Sequence, residues 1–241
     1  MLKCRAALKE AALRGAELAV FPEMALTGFS FDERLADSDG LTLRFFSECS
    51  RECSVSCAFG YSVSEGGRLY NRLSVTSADG ALLGSYDKIH PFSFSGEDKV
   101  FTAGERAVTV NIGEVCFGLA VCYDLRFPEL FGRLSQQAEC LIVSANWPKS
   151  RRAHWQTLLK ARAIETQSYV IGCNCCGERN GLEYSGDSAV IAPDGSVLAQ
   201  AQAGAEQLIF ADISRESVSR LRREFPVRND RKNHLYRNFY E

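Results

Sequence analysis

No apolar run in this sequence approaches the ~18 residues that a membrane-spanning helix requires. The opening Met1-Leu2-Lys3-Cys4-Arg5 is followed by charged residues rather than the apolar core of a secretory leader. Both absences predict a cytoplasmic protein. Excess charge of either sign is also lacking. With 28 basic against 30 acidic residues and a formal net charge of −2, nothing electrostatic favours nucleic acid or an anionic membrane as partner. Histidine is scarce, confined to His90, His154 and His234, so a Cys–His hydrolase would have few bases to choose from. No solenoid repeat, low-complexity tract or linker interrupts the chain. A single domain over 1–241 is therefore expected, with 228–241 as a charged and aromatic C-terminal extension.

Cysteine, by contrast, is abundant at ten residues. In a chain of this size without a leader, a disulfide scaffold is not expected. Cys49, Cys53 and Cys57 are spaced by four, and Cys173, Cys175 and Cys176 cluster near one strand end. The two C-x-x-C pairs of a zinc ribbon are absent. These thiols read as small residues packed in or beside strands, and no metal is expected.

Hydrophobic residues make up 46% of 241 residues, enough for one substantial core. Helical spacing covers Lys3–Arg14, 41–53, 128–136, 151–167 and 215–225. Strand-like runs fall at 18–21, 56–63, 69–76, 81–86, 115–121, 140–144, 169–173, 188–192, 197–200 and 207–212, with turns at Glu65-Gly66-Gly67, Asp79-Gly80 and Pro193-Asp194-Gly195. Many strands flanked by helices predict a layered α/β fold.

Cys122 stands where the apolar run Val115–Val121 gives way to Tyr123-Asp124-Leu125-Arg126-Phe127-Pro128-Glu129, a strand running into a helix with Asp124 as expected cap. Such an elbow holds a thiol at a sheet margin, and the helix N–H groups nearby should lower its pKa. A buried structural thiol is the competing reading. Leu18-Ala19-Val20-Phe21 ends similarly at Glu23, and 81–86 at Lys88. An acid, an amine and a thiol thus each follow a strand end, where reactive groups of layered α/β folds collect.

The blocks Phe21-Pro22-Glu23-Met24, Tyr86-Asp87-Lys88-Ile89-His90 and Val121-Cys122-Tyr123-Asp124-Leu125-Arg126-Phe127-Pro128-Glu129 resemble the signature segments of the nitrilase superfamily of carbon–nitrogen hydrolases. Ala145-Asn146-Trp147-Pro148 and 154–165 are most similar to its ω-amidase branch. The resemblance runs from about residue 5 to about residue 226. It implies a four-layer α-β-β-α sandwich of the nitrilase type, usually dimerised through the elements after Cys122 and the long helix. Members open with a strand before the first helix, and this chain starts inside that helix, so the first strand is expected to be missing.

The resemblance further implies Glu23 as general base, Lys88 as oxyanion stabiliser, Cys122 as nucleophile and Glu97 as a second acid. The backbone N–H of Tyr123 is expected as a second oxyanion donor. Trp147, Phe92, Phe94 and Phe29 can wall an apolar slot, and Arg126 and Arg151 are candidates to grip a substrate carboxylate, with structural salt bridges as the alternative. The implied substrates are small-molecule amides, namely short dicarboxylate monoamides such as α-ketoglutaramate and α-ketosuccinamate, with no cofactor. N-carbamoyl amino acids and nitriles belong to sister branches. A non-catalytic, thiol-rich interaction protein is the remaining alternative.

Overall fold

The computed structural model describes residues 1–179 and 181–236. Of the expected C-terminal extension, 237–241 lies outside the described residues. The chain begins with helix α1 (Leu2–Leu13), strand β1 (Leu18–Val20) and helix α2 (Leu41–Cys53). Strands β2 (Ser56–Glu65), β3 (Arg68–Thr76) and β4 (Leu82–Asp87) follow. β1 lies parallel to β2, and β2, β3 and β4 form an antiparallel meander, giving a sheet ordered β1-β2-β3-β4.

The second half supplies β5 (Thr109–Ile112), β6 (Val115–Val121), helix α3 (Pro128–Leu134), β7 (Cys140–Ala145), helix α4 (Arg152–Thr166) and β8 (Tyr169–Asn174). The hairpin β9 (Cys176–Arg179) and β10 (Leu182–Ser185) comes next, then β11 (Ala189–Ile191), β12 (Val197–Gln200), helix α5 (Arg215–Glu224) and the single turn α6 (Asn233–Tyr236). The second sheet is ordered β12-β11-β8-β7-β6-β5, and β6, β7 and β8 run parallel at its centre.

Two-sided burial explains why these strands read as nearly continuous apolar runs. β7, Cys-Leu-Ile-Val-Ser-Ala, is buried at every position, as a parallel strand covered on both faces must be. In β2 the alternation still sorts the faces. Cys57, Phe59 and Tyr61 join Leu8, Phe45 and Phe46 beneath α1 and α2, where the rings of Phe46 and Phe59 stack at 4.1 Å. Ala58 points the other way, into a core shared with Leu73, Val75 and Tyr86 of its own sheet and Phe117 and Leu119 of the other. Trp155, Leu159 and Ala163 of α4 cover the far face of the second sheet. There a Cβ on Gly172 would meet Leu159 at 2.7 Å, so only glycine admits the helix so closely. The result is the four-layer α-β-β-α sandwich.

One expected strand is corrected. Segment 207–212 has a strand's apolar content, yet it forms no ladder among the described residues. The outer edge of β1 likewise carries no strand there. Between the two lies a cleft of about 940 Å³, with Leu18, Val20, Ile171, Leu208 and Phe210 among its lining residues. A strand exists only by pairing with a neighbouring edge, and across this cleft the two segments are not hydrogen-bonded to each other. No helix among the described residues is long and apolar enough to cross a membrane.

Candidate active site

Glu23 lies just past β1, Lys88 directly after β4, Cys122 directly after β6 and Asn146 directly after β7. Strands cannot turn back at once, so their ends deliver side chains to one margin of the sandwich. Gly60 of β2 permits this at Glu23. A Cβ there would sit 2.7 Å from the Glu23 Cα, and any side chain would push that segment away. The backbone at two of these ends is left-handed in non-glycine residues, with φ 46° at Cys122 and 47° at Met24. Each costs about 1–3 kcal/mol, held by the surrounding fold.

Glu23, Lys88 and Glu97 are bound together as follows. The Lys88 ammonium donates to Glu23 Oε1 at 3.1 Å and to Glu97 Oε2 and Oε1 at 2.8 and 3.0 Å. All three side chains are essentially inaccessible to solvent. The remaining carboxylate lone pairs are also met. Asn71 Nδ2 donates to Glu23 Oε1 at 2.7 Å and Glu97 Oε1 at 2.8 Å. The Asn146 N–H donates to Glu23 Oε2 at 2.8 Å, and the Phe92 N–H to Glu97 Oε2 at 2.6 Å. Burial by itself would drive the Lys88 pKa down, but the two carboxylates more than offset it and raise it above the ordinary lysine value. A raised value keeps the ammonium charged at every pH below that ordinary value, and only strongly alkaline solution removes it.

The thiol differs from expectation. Burial pushes the Cys122 pKa well up, Glu23 adds to this, and Lys88 only partly opposes it. The elbow therefore holds a neutral thiol beside an acid–amine pair, because desolvation outweighs the helix N–H groups that suggested a thiolate. Asp124 is also corrected. Rather than capping α3, whose first residue is Pro128, it is a fully buried brace. Its carboxylate accepts from Val121 N–H and the Tyr86 hydroxyl, both at 2.8 Å, and from His90 N–H at 3.1 Å. His90 is engaged there as well, its Nδ1 2.7 Å from Asp124 and its ring stacked on Phe127 at 3.8 Å.

Around this centre stand the other expected residues. The Tyr123 ring lies 4.8 Å from Phe92, and the Arg126 guanidinium sits 4.7 Å over Trp147. Trp147 is buried, its backbone N–H donating to Asn174 Oδ1 at 2.7 Å. Phe29 lies 5.9 Å from the Lys88 ammonium. Phe94, expected in the wall, is instead 83% exposed. Neither Arg126 nor Arg151 has an acidic partner among the described residues.

Sequence reasoning missed Asn71, Asn146 and Asp124 as site residues. Asn71 left a signal, since asparagine is depleted in strands and this one interrupts the run 69–76. Asn71→Leu removes both hydrogen bonds to buried carboxylates. It is expected to lower stability by roughly 3 kcal/mol, or about 6–12 °C in melting temperature for a chain of this size. Thermal denaturation beside an initial-rate assay checks this, and an unchanged melting point would mean the carboxylates do not depend on it.

Comparison with known proteins follows the same lines. The Carbon-nitrogen hydrolase family matches residues 1–223. A 2-oxoglutaramate amidase of Paenarthrobacter nicotinovorans is 37% identical, covering 90% of this chain and 79% of the relative. The omega-amidase YafV of Yersinia enterocolitica is 35% identical over 89% of this chain and 84% of its own. A CN-hydrolase superfamily protein of Xanthomonas campestris, solved with an arsenic adduct in its active site, superposes with a TM-score of 0.85 at 29% identity. That match covers 96% of this chain and 91% of the other. Sequence and layered architecture converge on one assignment: the chain belongs to the carbon–nitrogen hydrolase family.

Proposed function

We propose that this protein is an ω-amidase, hydrolysing the terminal amide of short dicarboxylate monoamides such as α-ketoglutaramate and α-ketosuccinamate to the dicarboxylate and ammonia. The observation that carries the reading is the buried ammonium of Lys88 shared by Glu23 and Glu97, with Cys122 close enough for both charges to act on its thiol. A thiol that is not ionised at rest needs a base at the moment of attack. Glu23 takes the Sγ proton as sulfur bonds to the amide carbon. The carbonyl electron pair moves to oxygen, which Lys88 and the Tyr123 N–H receive. Collapse breaks the carbon–nitrogen bond, and Glu23 returns its proton to the nitrogen, which leaves as ammonia. Water then gives a proton to Glu23 and its hydroxide to the thioester. The acid departs, and the thiol regains the proton. Glu97, tied to the same ammonium, holds Lys88 in place. The cycle calls for no metal and no organic cofactor.

Selectivity for a carboxylate-bearing acyl group is assigned to Arg126, with Tyr123, Trp147 and Phe92 as the wall. Arg126 is half-buried, and its only described polar contact is Nη2 to His154 Nδ1 at 3.2 Å. Burial, then the neighbouring Arg151, lowers its pKa. Such a cation gains most from an incoming anion. The support for the substrate class is this unpaired cation together with the names of the 2-oxoglutaramate amidase and omega-amidase relatives. Steady-state kinetics on α-ketoglutaramate, an N-carbamoyl amino acid and an aliphatic nitrile tests it. The expected kcat/KM for the first exceeds the others by roughly a hundredfold or more, the discrimination a site gains by pairing a buried polar group. Preference for the N-carbamoyl compound would overturn the reading.

A homodimer is part of the proposal. Ile164 of α4 packs beside Gly195 of the β11–β12 hairpin, and Ile164, Val197 and Leu198 are all exposed. A cytoplasmic location is proposed on the composition alone.

A further inference from the structure

We infer that Arg151 is the second arm of an anion receptor in the acyl pocket, donating to the 2-oxo oxygen while Arg126 holds the adjoining carboxylate. The inference rests on the substrate class proposed above and adds the residue that would separate 2-oxo acids from their simple counterparts.

Arg151 ends a single 3-10 turn, Lys149–Arg151, and its carbonyl accepts from Trp147 Nε1 at 2.8 Å. Its backbone is thereby fixed to the same indole that Arg126 overlies. Its guanidinium rests 5.4 Å from the Phe92 ring and 5.5 Å from the Phe94 ring. Phe92 in turn lies beside Tyr123, the residue following the thiol. None of the guanidinium N–H groups of Arg151 meets a protein oxygen among the described residues. The contrast with the next residue is informative. Arg152 spends Nε and Nη2 on Asp187, both at 2.7 Å, so one arginine of the pair is structural and the other is unspent.

One guanidinium thus overlies the Trp147 indole and the other rests against Phe92 and Phe94, near enough for Arg151 to act electrostatically on Arg126, and neither has an acidic partner among the described residues. Aromatic faces hold a guanidinium flat without using its N–H groups, which keeps the donors available. One arginine satisfies a carboxylate bidentately. A second becomes useful only when the ligand offers another acceptor alongside. A 2-oxo acid does so, because its ketone oxygen lies next to the carboxylate, whereas glutaramate has a methylene there.

Arg151→Met keeps the alkyl stem on Phe92 and removes the donors. Kinetics on α-ketoglutaramate and on glutaramate, of equal length without the ketone, give the test. The KM for α-ketoglutaramate is expected to rise about 10- to 100-fold, the worth of one charge-assisted hydrogen bond, with kcat and both glutaramate constants within about twofold. Arg151→Lys should recover part of the loss. An equal rise for both substrates, or none, overturns the assignment. If the unaltered protein prefers α-ketoglutaramate and Arg151→Met leaves its KM unchanged, only Arg151 loses its role. If the unaltered protein prefers an N-carbamoyl amino acid, the proposed function fails and this inference falls with it.

Discussion

Replacing Cys122 with alanine is expected to reduce ammonia release by about ten-thousandfold or more, the scale on which removal of a covalent nucleophile is felt. The melting temperature should stay within a few degrees of the parent. The asymmetry follows from the geometry. The side chain is small, so the void left is no larger than one sulfur, and the cost of a cavity that size is roughly 1 kcal/mol. The left-handed backbone at this position, φ 46°, adjoins Val121, whose N–H bond to the buried Asp124 carboxylate does not involve the thiol. A second nucleophile is the obvious escape. Cys175 lines the cleft beside Glu23, but burial pushes its pKa up, and Glu23 pushes it further in the same direction. Lys88, which opposes that effect at Cys122, is not among its main influences. Ammonia release measured beside thermal denaturation distinguishes the cases. Folded protein that still turns over would transfer the nucleophile's role to another thiol.

The fold was legible wherever the pattern is local. The helix of α2 matches its expected bounds, and β7 and β8 extend theirs by one residue, because two-sided burial and helical spacing are written in consecutive positions. The run 207–212 has the same apolar content and forms no strand, since pairing depends on what lies across the cleft. The site divides in the same way. Glu23, Lys88, Glu97 and Cys122 follow strand ends or sit in a motif, and Lys88 donates to both Glu23 and Glu97. The Cys122 pKa was misjudged because the helix N–H groups are visible in sequence while desolvation is a property of the assembled layers. Asn71 was missed for a related reason. Its importance lies in bridging two carboxylates that are far from each other in sequence.

Lys88→Met is expected to cut turnover by about 10²–10³-fold or more and to cost roughly 3–5 kcal/mol of stability, the penalty of leaving buried charge without its partner. Two carboxylates, both fully enclosed, would share a site with no cation. The variant must then take up a proton on folding, so its stability should decline as pH rises from about 5 to 8, where carboxylates in the unfolded chain are ionised. In the parent the raised Lys88 pKa keeps the ammonium charged throughout that window, so Lys88 itself adds no slope there. The sign is fixed by the direction of proton uptake: a folded state that binds more protons than the unfolded one is favoured by acid. Stability loss alone would not distinguish a catalytic ammonium from a structural one. The double variant Lys88→Met/Glu97→Gln does. Removing one of the two carboxylate charges should restore much of the melting temperature and flatten the pH slope. It supplies no donor at the carbonyl oxygen, and loss of one such donor costs about 10²–10³ in rate. A double variant that is stable and still inactive assigns Lys88 to the oxyanion. One that regains turnover with its stability would reduce the ammonium to a counter-ion, and the Tyr123 N–H would then have to carry the developing charge without it.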